Sequence, residues 1–170
     1  MKNKNILYGY IAICIATILW GVSFVWTKEL LNNGFPVFTI VTFRIIVASI
    51  FLFFIFSIGH RLEKIKKKDI KVFLVLAFFE PFLYFIGEDF GLKYVDASFA
   101  AIIIALIPIV TTFTLHFFFK DKLKWELLIG AVISVTGIVL MSLNKTNTFA
   151  YSVKGLLLLL MAVITAAGYS

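Results

Sequence analysis

Arg44, Glu80, Tyr84 and Glu88 interrupt runs of residues that are otherwise almost wholly apolar. An ionised side chain near the middle of a bilayer costs about 2.5–3.5 kcal/mol on insertion scales, so such groups must face protein or water, and each is a candidate for function. Arg44 stands about eight residues from the outer end of its run and Glu80 about eight from the inner end of the next, so each lies roughly 12 Å deep, at levels about 6 Å apart. A long Arg side chain can cross that gap to the carboxylate. The two residues read equally well as a substrate or proton site and as an ion pair locking the second helix to the third. In the first reading, Glu80 takes up a proton as substrate moves.

Pro81 follows Glu80 directly. It lacks an N–H, so it frees a carbonyl in the preceding turn and opens the helix beside the carboxylate. Tyr84 and Glu88 stand at i+4 and i+8 from Glu80, close to one helix side, and extend a polar track toward the outer surface. Glu88 and Asp89 are expected near the outer interface, where solvated charge is ordinary. Trp20 lies near mid-span, away from the interfacial belt where Trp concentrates, and is either a cavity-lining or a packing residue. Pro108, central in the fourth helix, predicts a bend there, and Pro81 and Pro108 are the two hinge candidates.

Other chemistry is thinly represented. Cys14 is the one cysteine, and His116 has no Cys, His or carboxylate at ligand spacing on its helix, so no metal site or cofactor is expected. Asp69, Asp121 and Glu126 stand among lysines, with no carboxylate cluster, phosphate loop or activated nucleophile. No catalytic residue is assigned, and a polytopic membrane enzyme is the weaker reading.

The elements that must position these residues are transmembrane helices. Of 170 residues, 62% are hydrophobic, and the mean hydropathy is +1.04, well beyond the roughly 45–50% apolar content of soluble domains. About 20 apolar residues cross a hydrocarbon layer of about 30 Å, and the runs fall at 6–26, 36–58, 72–90, 97–119, 125–143 and 153 onward. They do not alternate in polarity as barrel strands do. The fold class is therefore an all-α integral membrane protein of five transmembrane helices plus an incomplete sixth. The twenty Phe residues fall mostly in runs suited to a lipid-facing surface. Small residues at spacings of four and seven, among them Gly87 and Gly91, predict close helix packing.

Basic residues set the orientation. Lys2, Lys4, Arg61, Lys64, Lys66, Lys67, Lys68, Lys71, Lys120, Lys122 and Lys124 fall on one side, against Lys28, Lys93, Lys145 and Lys154 on the other. Lys and Arg in short loops stay cytoplasmic, which places the N-terminus inside. The net charge of +7 thus sits beside membrane spans, where it orients the chain and attracts anionic lipid; nucleic acid is not an expected partner.

The motifs then form a recognisable series. Trp20-Gly21-Val22-Ser23-Phe24 leading to Lys28 resembles the first-helix signature of the EamA-like family in the drug/metabolite transporter superfamily. Phe43-Arg44 resembles its second-helix region, residues 92–101 the join of helices three and four, and Ile107-Pro108 the fourth-helix proline. Residues 118–123 resemble a turn that usually reads Gly-Glu-Arg/Lys-Leu, with Lys120 and Asp121 replacing the Gly and Glu, and residues 130–140 resemble the glycine-bearing fifth helix.

This resemblance implies a ten-helix secondary transporter of two five-helix inverted repeats, exporting small organic metabolites or drugs by alternating access from a bacterial-type inner (plasma) membrane. Residues 1–144 would form the first repeat, and residues 145–170 a loop and the truncated first helix of the second. Ala167 to Ser170 lie over Trp20 to Ser23 with Gly and Ser in register, and the chain reads as a fragment. The expected partners are a small organic solute, the lipid bilayer, coupling protons and a missing second repeat. The alternative keeps transport but makes the chain a half-size unit in an inverted homodimer, against which the loop charge bias argues.

Overall fold

The computed structural model describes residues 2–60, 62, 65–120 and 152–170, with isolated positions between 125 and 140. Regular structure among the described residues is entirely helical. Four helices are long and apolar enough to cross a membrane: α1 (Lys2–Asn32, apolar from Ile6), α2 (Val37–Ile58), α3 (Lys67–Tyr94) and α4 (Ala97–Phe119). A fifth, the C-terminal helix Val153–Tyr169, is shorter, at 17 residues. The span expected at 125–143 lies for the most part outside the described residues.

α1 and α3 run past the apolar segments that nucleate them. α1 continues to Asn32, and α3 starts at Lys67 and ends at Tyr94. Long Lys and Glu side chains reach the interface from inside a helix, so Lys28, Glu29 and Lys93 do not stop the backbone ladder where hydropathy drops.

Two helices are broken. In α3, α-helical turns over Ile70–Ala77 and Tyr84–Tyr94 flank a π-helical stretch, Phe78–Leu83, in which Glu80 is extended at φ −137° and ψ 120°. Pro81 has no N–H to give, and a wide turn is how helices absorb such a fault. In α4 the first segment stops at Ile104 and the second, Ile107–Phe119, carries Pro108 in its first turn. The break therefore precedes the proline, where a bend centred on Pro108 was expected. A proline ring collides with the carbonyl four residues earlier, here that of Ile104, whereas in a first turn its missing N–H costs nothing.

The core lies between the C-terminal half of α3, the first half of α4 and the C-terminal helix. Tyr84, Leu92, Ala100, Ile104, Leu159, Ala162 and Val163 are all buried there. α1 joins this core along one face only, through Ser23, Phe24, Thr27, Lys28 and Leu31, at the helical spacing of three to four. α2 joins through Val37, Ile40, Val41 and Arg44. Among the described residues the N-terminal part of α1 and the C-terminal part of α2 stand exposed, Ala12 and Ala16 included, along with Phe51, Phe53 and Phe54, which suits a lipid-facing surface.

Gly87 and Gly91 seat the C-terminal helix. A Cβ on Gly87 would lie 2.8 Å from the Leu158 carbonyl oxygen, and one on Gly91 2.7 Å from the Leu159 side chain. Backbones approach this closely only where side chains are absent.

Candidate functional site

Arg44 projects from the buried face of α2 into the bundle. Its Nη1 donates to Glu88 Oε1 at 3.2 Å, and its Nη2 donates to Thr27 Oγ1 at 2.6 Å while lying 3.6 Å from Asp89 Oδ1. The guanidinium carbon also stands 4.8 Å from the centre of the Phe85 ring. One side chain thus ties α1, α2 and α3 together, which a forked, planar cation does better than a point charge.

This geometry corrects the expected partner. Arg44 pairs with Glu88 and Asp89, not with Glu80. Depth counted from the apolar runs ended the third span at 90, but the helix continues to Tyr94. Glu88 is therefore six residues inside its helix end, and Arg44 is seven inside the start of α2 at Val37. At 1.5 Å per residue, both lie about 10 Å from those helix ends and share one level. The expectation that Glu88 and Asp89 are solvated at the interface fails for the same reason, since they are 2% and 0% exposed. Asp89 is the site residue that sequence reasoning missed. The available signal was two adjacent acids facing a single intramembrane arginine.

Hydrogen bonding around the cluster is incomplete among the described residues. Glu88 Oε2, both Asp89 carboxylate oxygens and the Tyr84 hydroxyl are buried without a hydrogen-bond partner. Behind them the C-terminal helix seals α3 through the Gly87 and Gly91 contacts. Lys28 closes the outer end: its Nζ donates to the carbonyls of Leu92 at 2.9 Å and Lys93 at 3.4 Å, placing a cation on the last turn of α3.

Glu80 faces a cavity instead. A space of about 420 Å³ is lined by Trp20, Ser23, Arg44, Glu80, Tyr84, Phe85, Ile107 and Ala166. The extended backbone at Glu80 and the first turn of the second α4 segment both open onto it. Glu80 is half-buried and has neither ion pair nor hydrogen bond among the described residues. Trp20 is 44% exposed, with its ring centre 6.3 Å from that of Phe24. A second space of about 450 Å³ opens between α1 and α2, with Trp26, Leu30, Phe35, Ile40 and Phe43 as its apolar wall. Ser23 and Arg44 border both spaces, so the guanidinium stands at their boundary.

The structure thus brings Arg44, Tyr84 and Glu88 together, sets Glu80 and Trp20 on the neighbouring cavity, and puts Pro81 and Pro108 at the two helix breaks. No group of three or more potential metal-ligating residues occurs among the described residues.

Known proteins similar to this chain point to the same class. The chain is 32% identical over 163 residues to the uncharacterized transporter YcxC of Bacillus subtilis strain 168, covering 95% of this chain and 52% of that protein. It is 27% identical over 168 residues to the uncharacterized transporter YetK of the same organism, covering 96% of this chain and 51% of that protein. It thus spans about half the length of these relatives. An uncharacterized protein of Haemophilus influenzae is 34% identical over 122 residues, a match that takes in 67% of this chain and 93% of that protein. No solved structure matches. The model of the EamA-like transporter family matches residues 7–143, and the chain belongs to that family as an integral membrane protein.

Proposed function

We propose that the chain forms one half of a secondary transporter that moves a small organic solute outward by alternating access, with the N-terminus on the cytoplasmic side of a bacterial inner membrane. In this reading residues 1–144 are the first five-helix repeat, and residues 145–170 begin a second, inverted copy. The observation that carries it is the cavity of about 420 Å³ where the breaks of α3 and α4 meet around Glu80. Non-helical backbone at membrane depth is tolerated where it lines a cavity, and broken helices are how transporters build solute sites.

Arg44, Glu88 and Asp89 serve as the structural clamp of this half, and Glu80 as the group that exchanges a proton for solute. The test is transport across a range of pH in vesicles containing the full-length protein. Glu80→Gln is expected to lose the pH dependence while expressing normally. A variant with the wild-type pH profile excludes the proton role.

One observation favours a second reading. The match covers 93% of the Haemophilus influenzae relative, so a chain of about one repeat's length occurs in this group, and two copies of such a unit would supply both walls. Cross-linking in membranes separates the readings: the half-size unit gives a homodimer, and the duplicated architecture does not require one.

A further inference from the structure

We propose that the Glu80 cavity is selective for organic monocations, aromatic or alkyl ammonium groups, over carboxylates and zwitterions. This names the solute class of the transport site and rests on that reading. The argument is one of charge. Three carboxylates, Glu80, Glu88 and Asp89, meet a single guanidinium in this region, so the balance stays negative even with one acid protonated.

That guanidinium is also committed. Its two terminal nitrogens face Glu88, Asp89 and Thr27, and its face lies over Phe85. The other charged and titratable groups on the surrounding helices leave the balance unchanged. From α1, Lys28 is held on the carbonyls of Leu92 and Lys93. The C-terminal helix carries Lys154, which sits over the Tyr94 ring, and the exposed Tyr169. Segment Ala97–Ile104 has none, and Ile107–Phe119 has only His116, two turns beyond Ile107. An incoming carboxylate would have to compete with Glu88 and Asp89 for Arg44, and no other cation among the described residues lines the cavity to hold it.

A cation meets the reverse situation. Glu80 has no counter-ion among the described residues and sits in a partly desolvated wall, where an ionised carboxylate demands one. Trp20 lines the same space with its ring partly exposed, and aromatic faces attract ammonium groups most strongly where water is excluded. The volume of about 420 Å³ is within the range of small-molecule pockets.

The test uses three probes of one size on the purified full chain in detergent micelles: benzyltrimethylammonium, phenylacetate and phenylalanine, titrated by calorimetry. The ammonium is expected to bind at least tenfold more tightly than either of the others, to weaken tenfold or more in Glu80→Gln, and to recover in part in Glu80→Asp. A smaller preference, equal binding by phenylacetate, absence of ammonium binding, or a folded Glu80→Gln that binds as well as wild type each overturns the proposal. The comparison of probes on the wild-type chain stands even where a variant fails to fold. Binding in micelles needs no translocation, so loss of cation preference leaves the transport reading intact. A chain that binds the ammonium yet moves no solute in vesicles defeats transport alone.

Discussion

Deleting the guanidinium of Arg44 leaves Glu88 and Asp89, 2% and 0% exposed, without a cation, and removing one partner of a buried pair costs about 3–5 kcal/mol. Arg44→Ala is therefore expected to lose most folded protein, measured as detergent-solubilised material that elutes as a single species. The triple variant Arg44→Ala/Glu88→Gln/Asp89→Asn should recover much of it, because neutral amides do not require a counter-charge. Arg44→Lys separates clamp from pore: an ammonium cannot hold Glu88 and Thr27 together, so yield should fall before any transport defect appears. The existence of this cluster was legible in the sequence, since an arginine and acids inside apolar runs have few other uses. Its pairing was not. Hydropathy marks where lipid-compatible side chains stop, whereas the helix carrying Glu88 continues to Tyr94, and that difference of one turn decides which carboxylate Arg44 meets.

Among the elements, α3 is the one whose irregularities and packing do separate work. Its inner half breaks at Glu80, while its outer half is pressed against the C-terminal helix through Gly87 and Gly91. A methyl group at Gly87 meets the Leu158 carbonyl oxygen at 2.8 Å, and backbone cannot yield; at Gly91 it meets the buried Leu159 side chain at 2.7 Å, which yields more readily than backbone, and the Gly155 carbonyl oxygen only at 3.2 Å. Gly87→Ala is expected to cost about 1–3 kcal/mol, as overpacking does, and Gly91→Ala less, read as the ordering of midpoints in thermal denaturation. If Gly91→Ala is the worse of the two, this account of the groove is wrong. Spacing of four in the sequence announced a packing face here, but the same spacing at Ala12 and Ala16 has no partner helix among the described residues, where both are exposed. Periodicity identifies a face and leaves its occupant open. The break in α4 shows a similar limit: Pro108 signalled the fault, and its ring displaced the fault by about a turn, toward Ile104.

For the molecule as a whole, the charge bias of the loops predicts which surface faces the cytoplasm. With Cys14, the one native cysteine, replaced by Ser, Asn33→Cys should react with a membrane-impermeant maleimide in intact cells and Lys66→Cys should not. Labelling in the opposite sense would invert the orientation, and with it the outward direction proposed for transport. The helical membrane class and the spans among the described residues were the most legible features, because lipid imposes composition on every residue it touches. The cavity was the least legible, because its wall is assembled from α1, α2, α3, α4 and the C-terminal helix, residues as far apart in the chain as Trp20 and Ala166.

The C-terminal helix packs against α3 and both segments of α4, yet it is the last of the described helices to leave the ribosome, at about 5–20 residues per second. Until it arrives, the notch at Gly87 and Gly91 has only acyl chains to fill it, and Leu92, Ile104 and Tyr84 lack the neighbours that bury them. Biogenesis of this protein is therefore expected to pass through a stage, seconds long, in which the four described spans stand in the bilayer without their keystone. A translation arrest placed before Val153 should leave them open to membrane proteases.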